Sequence, residues 1–309
     1  SKDDGSYEAL ASGSMTAYDF MINKIYTLEI EPAQLALEPC SASAVITDVK
    51  TGDVLACVSY PGYDNNRLVN NMDTDYDANQ INNVKYYSSL INNESSPLYN
   101  RATQQTLAPG STFKILSTIA GMSEGVIDDG TYINCTGSFD LVTPPINCWN
   151  KQGHGEIEIR EAIEQSCNYY FNMVGFKLGQ DADGNFSENR SLSVLQKYAS
   201  EIGLDKKTGI EITESAPHVS DSYAVPSYIG QGTNAYTTSQ LARYATAIAT
   251  SGNVYDLTLL DRQTDSKGNT LKKYEPDIIN TVDVSQNVWD DIHDGMYRVV
   301  QTHRQFDGL

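Results

Sequence analysis

A serine and a lysine three residues apart stand at the start of an apolar stretch, and this feature constrains the chain most. Ser111 and Lys114 follow Pro109-Gly110, a typical turn pair, and precede apolar residues that continue to residue 120. Residues three apart lie on one face of a helix, so Lys114 can reach Ser111 within a single turn. The pattern predicts an apolar, buried helix with the serine in its first turn.

This spacing suits nucleophilic catalysis. A serine hydroxyl is a weak nucleophile until a nearby base removes its proton. Burial on an apolar helix disfavours the charged ammonium and lowers the pKa of a lysine, so neutral Lys114 could be that base for Ser111. Free backbone N–H groups at the helix start could stabilise a carbonyl oxygen that gains negative charge. The same pattern also occurs by chance as a solvated surface pair, so other segments must support this interpretation.

The composition limits the partners that the chain can have. Its 309 residues are 40% hydrophobic and carry a net charge of −19. A globular fold with a sizeable core is expected, and the negative charge argues against nucleic acid as a partner. The sequence contains neither an apolar run of about 18 residues nor a signal-peptide pattern. Its first residues look like an internal start, so we expect any membrane anchor to lie outside this sequence.

Five cysteines are too few for a disulfide scaffold in a chain of this length. We expect Cys40 and Cys57 to be buried beside strands. Cys135 and Cys148 flank a proline-containing loop and could close it as a disulfide outside the cytoplasm, but the sequence leaves this pairing open. Because the chain has no C-x-x-C or H-E-x-x-H spacing, we expect no zinc site, and no cofactor or other metal.

A second polar pair, Ser166 and Asn168, lies in the segment 157–179, for which the apolar pattern predicts one helix. Two residues apart, both side chains can point into one cleft if they lie at a helix end or in a connecting loop. The hydroxyl could relay a proton, and the amide could bind a lysine or a substrate carbonyl. We interpret Cys167 as a packing residue and His154 as a residue that stabilises a glycine-rich turn.

The remaining patterns predict a mixture of helices and short strands. In chain order they indicate helical signals in 1–40, a hairpin at 44–49 and 54–60, an irregular polar segment at 61–100, a helix at 192–202, a capped helix at 237–249, short strands within 254–283 and a helix at 288–300.

The order of these segments resembles the penicillin-binding proteins, the serine D,D-transpeptidases of bacterial cell walls, from about residue 43 to residue 305. The segments that carry the resemblance are Asn100 to Lys114, Gly153 to Phe171, Gly230-Gln231-Gly232 and Thr238 to Ala242. The chain looks most like the class B, membrane-anchored members, because no glycosyltransferase-like region precedes the domain in this sequence.

The resemblance implies an α/β fold of the α+β type, with an antiparallel sheet flanked by helices. It implies an N-terminal helical segment at 1–42 and a transpeptidase domain at 43–309. The implied partners are peptidoglycan stem peptides, β-lactam antibiotics and other cell-wall synthesis proteins. The implied location is the extracytoplasmic face of the bacterial cell membrane.

The resemblance also assigns roles to residues. It implies that D-Ala-D-Ala stem peptides and penicillins acylate Ser111, and that Ser166 and Asn168 assist Lys114. Substrate-binding residues are then expected in one glycine-rich segment, at Gly230, Gln231 and Gly232.

One motif of the superfamily is not found where it is expected. The superfamily adds a K-T-G motif to S-x-x-K and the second serine motif. Two K-T-G tripeptides occur here, but we assign Lys50-Thr51-Gly52 to a hairpin turn and Lys207-Thr208-Gly209 to a stretch away from the site. The resemblance places the functional K-T-G motif on a strand after the last helix, beyond Leu309. We expect that this part of the fold was cut off, is supplied by another chain or is left out of this sequence. This chain alone is then expected to lack central strands and to be inactive.

Three alternatives remain open from the sequence. A D,D-carboxypeptidase and a serine β-lactamase use the same constellation as a transpeptidase. A binding or sensor domain could have kept the fold, and the ability to bind β-lactams, without turnover.

Overall fold

The computed structural model describes residues 5–26, 41–68 and 76–302. The helices are α1 (Ser6–Ala11), α2 (Ala17–Tyr26), α3 (Tyr76–Ile91), α4 (Arg101–Gln104), α5 (Lys114–Ser123), α6 (Ile159–Glu164), α7 (Asn168–Leu178), α8 (Glu188–Glu201), α9 (Ala224–Ser227), α10 (Thr238–Ala249) and α11 (Gln286–Thr302). The strands are β1 (Ala42–Thr47), β2 (Val54–Tyr60), β3 (Ile133–Cys135), β4 (Ser138–Phe139), β5 (Ile146–Asn147), β6 (Gly155–Ile157), β7 (Asn253–Tyr255), β8 (Arg262–Thr264), β9 (Thr270–Lys273) and β10 (Ile278–Thr281).

The chain divides into two compact units. One is drawn from Ser1–Ala44 and Val58–Arg101, and the other from Val45–Cys57 and Ala102–Leu309. The predicted site residues all belong to the second unit. The predicted domain boundary near residue 42 stays a prediction.

Helix α5 lies in the core of the second unit. Every residue from Lys114 to Gly121 is buried, and α5 packs against α6, α7, α8 and α11. Its apolar residues fill this core, and burial of each large aliphatic side chain stabilises the fold by about 1.5–3 kcal/mol. At Gly121 an added Cβ would lie 2.8 Å from Val174 Cγ1, so a glycine permits the close approach of α7. The predicted buried helix is confirmed, although it begins at Lys114 rather than at the serine.

The single helix predicted for 157–179 is wrong, because the chain breaks between α6 and α7. The amides of Ser166 and Cys167 donate to the carbonyls of Ile163 and Ala162 at 3.0 Å, which is the pattern of a Schellman motif. In that motif one residue takes the left-handed conformation, usually a glycine, and here Ser166 takes it with φ 48°. The apolar periodicity continues through the break, so it did not reveal this turn.

The irregular segment predicted for 61–100 is also wrong in part, because α3 occupies Tyr76–Ile91. Asparagine, serine and tyrosine are only a few tenths of a kcal/mol less favourable than good helix formers, so a polar composition does not exclude a helix. Residues 27–40 and 69–75, on which parts of these predictions fall, lie outside the described residues.

The strands of the described residues pair in twos. β1 pairs with β2, and the antiparallel pairs are β3–β6, β4–β5, β8–β9 and β7–β10. The predicted hairpin, the strands within 254–283 and the last helix are confirmed. The predicted capped helix is α10, where Thr237 and Gln240 form a reciprocal capping box.

In the described ranges, none of the helices combines the length and apolar character that a membrane span needs.

Candidate active site

Ser111 lies in a single 3-10 turn, Gly110–Phe113, directly before α5. Its side chain is exposed, whereas Lys114 at the first position of α5 is only 2% exposed. The turn therefore presents the hydroxyl to solvent while the helix draws the lysine into the protein. The nucleophile candidate and the base candidate meet at this boundary.

The Lys114 amine is the centre of the site. Its Nζ donates to Ser111 Oγ at 3.2 Å, to Ser166 Oγ at 2.9 Å and to Asn168 Oδ1 at 2.7 Å. A fourth bond, 2.7 Å long, reaches the carbonyl oxygen of Ser166. The structure thus brings together the four residues that the sequence predicted as catalytic.

The environment of Lys114 favours its neutral form. Burial lowers the pKa of this amine to about 8, against an opposing effect of the nearby Cys167 and Cys148 thiols. All four hydrogen-bond acceptors around Nζ are uncharged oxygens, so no carboxylate holds the proton in place. A lysine with this pKa can accept a proton near neutral pH.

The break between α6 and α7 positions the second pair. Ser166 occupies the left-handed position of the turn, and Asn168 is the first residue of α7. Asn168 Nδ2 donates to Asn147 O at 3.5 Å, which orients the amide with its oxygen toward Lys114. In a continuous helix, residues two apart do not lie on the same face, so the two side chains could not both point toward the Lys114 amine. The left-handed serine is therefore part of the site geometry.

Of the predicted substrate-binding residues 230–232, Gly230 contacts the turn that carries the nucleophile. Gly110 N donates to Gly230 O at 3.1 Å, and Gly230 has a φ of 71°. A Cβ at Gly230 would collide with the Gly110 carbonyl. Gln231 is exposed and its backbone carbonyl accepts from Asn234 Nδ2 at 2.9 Å. Contact with a substrate remains a prediction for this segment.

Sequence reasoning missed a tyrosine that supports the same turn. The hydroxyl of Tyr244 on α10 donates to Thr112 O at 3.1 Å and accepts from Leu116 N at 2.9 Å. It is buried and links α10 to both sides of the junction between the 3-10 turn and α5. A tyrosine within an apolar helix pattern carries no signal for such a contact, which joins residues more than 120 positions apart.

Both K-T-G tripeptides take part in other contacts. Gly52 has a φ of 76° in the turn between β1 and β2, and its amide donates to Asp48 O. Thr208 is buried, and its amide and hydroxyl donate to the Glu214 carboxylate at 2.8 and 3.1 Å. These contacts agree with the assignment of the two tripeptides to a turn and to a separate stretch.

The cysteines do not form the disulfide that the sequence left open. Cys135 and Cys148 are free and buried. The predicted burial of Cys57 is wrong in part, because this residue of β2 is half-buried. Cys167 is fully buried, as its interpretation as a packing residue requires. Cys40 lies outside the described residues.

His154 was expected to form a hydrogen bond that stabilises its turn, and its ring nitrogen instead faces two cysteine sulfurs. Its Nδ1 lies 3.5 Å from Cys135 Sγ and 3.7 Å from Cys148 Sγ. With Cys167 these residues form a group that could hold a metal ion, although sequence spacing had predicted none. Burial and the charge of Lys114 both lower the pKa of His154.

Comparison with known proteins settles the family. Residues 42–308 match the penicillin binding protein transpeptidase domain. The chain belongs to this family. The resemblance and the α+β fold class that the sequence motifs implied are therefore confirmed.

Two relatives illustrate how this penicillin-binding protein domain compares in sequence. The chain is 31% identical to the peptidoglycan D,D-transpeptidase MrdA of Haemophilus influenzae over 288 residues, which is 85% of this chain and 40% of the relative. It is 30% identical to the peptidoglycan D,D-transpeptidase PbpA of Mycobacterium tuberculosis over 224 residues, 69% of this chain and 42% of the relative. The chain thus spans about 40% of the length of these relatives.

Solved structures show the same fold. The crystal structure of Pseudomonas aeruginosa PBP2 in complex with WCK 5153 aligns with a TM-score of 0.69 at 26% identity, over 88% of this chain and 57% of that one. The penicillin G acyl-enzyme complex of penicillin-binding protein A from M. tuberculosis aligns with a TM-score of 0.69 at 25% identity, over 86% of this chain and 59% of that one.

Proposed function

We propose that this chain carries the acylating site of a peptidoglycan D,D-transpeptidase. The observation that supports this most is the buried Lys114 amine, which lies within hydrogen-bond distance of Ser111, Ser166 and Asn168 at once. A nucleophile, a base of suitable pKa, a second hydroxyl and an orienting amide are the groups that acyl transfer needs. The names of the sequence relatives support the same reaction.

In the first half-reaction, Ser111 Oγ attacks the carbonyl carbon of the penultimate D-alanine in a D-Ala-D-Ala stem peptide. Neutral Lys114 takes the hydroxyl proton as the new C–O bond forms. The carbonyl oxygen becomes negatively charged and is stabilised by the backbone N–H of Ser111. Ser111 is exposed in the 3-10 turn directly before α5, where a substrate can reach it.

The tetrahedral intermediate then collapses. Its C–N bond breaks, and the leaving D-alanine nitrogen takes a proton through Ser166 Oγ, which lies 2.9 Å from Lys114 Nζ. Asn168 keeps the lysine in place through its 2.7 Å bond. An amine of a neighbouring stem peptide attacks the acyl-enzyme, which releases Ser111 and forms a cross-link. A β-lactam ring opens in the first step and remains joined to Ser111.

Peptidoglycan stem peptides are the substrates, β-lactams are inhibitors, and other cell-wall synthesis proteins are partners. The reaction takes place at the extracytoplasmic face of the bacterial membrane, where peptidoglycan is built, with the protein held there by a membrane anchor. We propose no cofactor for the reaction.

The direct test uses the full-length protein and a fluorescent penicillin. Wild type is expected to be labelled, and Ser111→Ala to lose labelling completely. The matched control is Ser193→Ala on the exposed face of α8, which should be labelled like wild type. Labelling that persists in Ser111→Ala would contradict the assignment of the nucleophile.

The lifetime of the adduct separates the proposal from its rivals. A penicilloyl adduct that persists for many minutes in mass spectra supports a transpeptidase, whereas rapid release of hydrolysed penicillin would identify a β-lactamase. With stem peptides, cross-linked dimers are expected. Free D-alanine without dimers would identify a carboxypeptidase, and no turnover at all would identify a sensor domain.

A further inference from the structure

The hydroxyl of Tyr244 joins two backbone groups at the start of α5. It accepts a hydrogen bond from Leu116 N at 2.9 Å and donates one to Thr112 O at 3.1 Å. These two residues are four apart, so an α-helix would pair this amide and this carbonyl directly. The hydroxyl therefore bridges two groups that are ordinarily partners of each other. A side chain that enters the hydrogen-bond ladder in this way changes the course of a helix.

The chain beside this bridge departs from α-helical geometry. Helix α5 begins at Lys114, and the four residues before it form the 3-10 turn, in which Lys114 N donates to Ser111 O. The ψ angles of Phe113 and Lys114 are −16° and −24°, which are closer to 3-10 than to α-helical values. The departure from the α-helix thus lies at the position of the Tyr244 hydroxyl.

The 3-10 geometry determines how the side chains of Ser111 and Lys114 lie. A 3-10 helix has three residues per turn, so side chains three apart are eclipsed. In an α-helix the same two positions differ by about 60° around the helix axis. The observed turn therefore aligns the serine with the lysine, and Ser111 Oγ lies 3.2 Å from Lys114 Nζ.

The burial and protonation of Tyr244 suit a permanent bridge. Tyr244 is only 3% exposed and lies on α10, whose start is fixed by the capping box of Thr237 and Gln240. Burial raises the pKa of the tyrosine hydroxyl, so the group keeps its proton and can donate and accept at the same time. A phenylalanine would fill almost the same space but could do neither.

We propose that Tyr244 is a positioning residue for the acylation of Ser111. Its hydroxyl keeps the Leu116 amide and the Thr112 carbonyl from pairing directly, and so holds the turn before α5 in 3-10 geometry. That geometry aligns Ser111 Oγ with Lys114 Nζ. Tyr244 is buried and acts on the reaction only through this turn. The inference rests on the proposed function, because it treats Ser111 as the nucleophile.

The test is the rate at which penicillin acylates the full-length Tyr244→Phe variant. Without the hydroxyl, Leu116 N and Thr112 O are expected to pair directly, which turns Ser111 away from Lys114. The second-order rate constant of acylation should then fall at least about tenfold. The fraction of protein that is finally labelled should match wild type. A merely structural role would instead lower that fraction, through unfolding, and leave the rate constant of the folded protein unchanged.

Tyr228→Phe is the matched control. The Tyr228 hydroxyl is also buried and donates to a backbone carbonyl, Ser191 O at 2.8 Å. This bond joins the end of α9 to α8 and not to the nucleophile turn. The control should therefore react at the wild-type rate. Equal rate constants for the two variants would overturn the proposal.

A crystal structure of the wild-type protein gives a second test that does not depend on any variant. The Tyr244 hydroxyl oxygen should lie within about 3.2 Å of both Leu116 N and Thr112 O, and those two atoms should be more than about 3.5 Å apart. A direct bond between them would overturn the proposal.

The two levels of the proposal fail in different ways. Wild type that is labelled at Ser111, together with a Tyr244→Phe variant that reacts equally fast, would overturn this inference alone. Wild type that is not labelled at Ser111 would overturn the proposed function as well.

Discussion

At the scale of single residues, the site depends on one amine and its proton. Lys114 has uncharged acceptors on all four of its hydrogen bonds, and burial lowers its pKa. A permanently charged lysine could hold Ser111 and Asn168 in place but could not take a proton. The chemistry therefore follows the fraction of Lys114 that is neutral.

The rate of acylation should rise with pH as Lys114 loses its proton. Its pKa of about 8 predicts a tenfold loss of rate for each pH unit below about 7 and a plateau above about 9. The titratable groups that face this region are His154, Cys148 and Cys167; the charge of Lys114 itself lowers the pKa of His154. The second-order rate constant for penicillin between pH 6 and pH 10 is the measurement.

Two outcomes would contradict this account of Lys114. One is a rate that does not change with pH over that range. The other is substantial acylation of Lys114→Arg, since a guanidinium cannot act as a base at these pH values.

At the scale of structural elements, short turns position the site. The 3-10 turn before α5 presents Ser111, and the Schellman turn between α6 and α7 presents Ser166. Each turn contains one residue in the left-handed conformation. In the 3-10 turn it is Gly110, with φ 59°, and in the Schellman turn it is Ser166, with φ 48°. A serine in this conformation costs roughly 1–2 kcal/mol relative to the ordinary helical region.

Ser166→Gly tests whether the Ser166 hydroxyl takes part in catalysis. The substitution relieves the strain and keeps the turn, so the protein should remain folded while acylation falls at least about 100-fold, because the hydroxyl is lost. Ser251 is a matched control, since it has φ 53° in an equivalent turn after α10, where Gly252 N donates to Ala247 O.

Ser251→Gly should keep wild-type acylation and raise the free energy of unfolding by about 1 kcal/mol. Urea unfolding and penicillin acylation rates are the two measurements. Equal acylation by the two variants would show that the Ser166 hydroxyl takes no part in the reaction.

Gly230→Ala tests the support of the nucleophile turn. The new Cβ would collide with the Gly110 carbonyl, so the turn that carries Ser111 must shift and acylation should fall at least about tenfold. Gly268→Ala is the control: its φ of 84° gives the same backbone strain, about 1–2 kcal/mol, but no atom lies within 4 Å of the added Cβ. Similar acylation rates of the two variants would contradict this role.

Residue spacing and capping residues in the sequence predicted those elements that short-range interactions stabilise. The S-x-x-K pair lies on a single turn, and α10 carries its own capping box, so both could be predicted. The break at Ser166 could not, because it opposes both the helical periodicity and the glycine preference at that position. The contact of Tyr244 with Thr112 and the convergence of Cys135 with Cys167 depend on distant residues and left no local signal.

At the scale of the whole molecule, the four central site residues all belong to the second unit. These residues come from two junctions of that unit, one directly before α5 and one between α6 and α7. Helices α5 and α7 both contribute buried side chains to the core of the unit. Burial of α5 and α7 against each other fixes the distance between Ser111 and Asn168. The core that stabilises this unit therefore also sets the geometry of the reaction.

The central claim is that Ser111 is the residue that becomes acylated. The most direct measurement is peptide mapping by mass spectrometry of the full-length protein after reaction with penicillin. We predict one penicilloyl group, attached to Ser111, on the peptide that contains residues 102–114. An adduct on any other residue, or unmodified protein after prolonged exposure, would contradict the account.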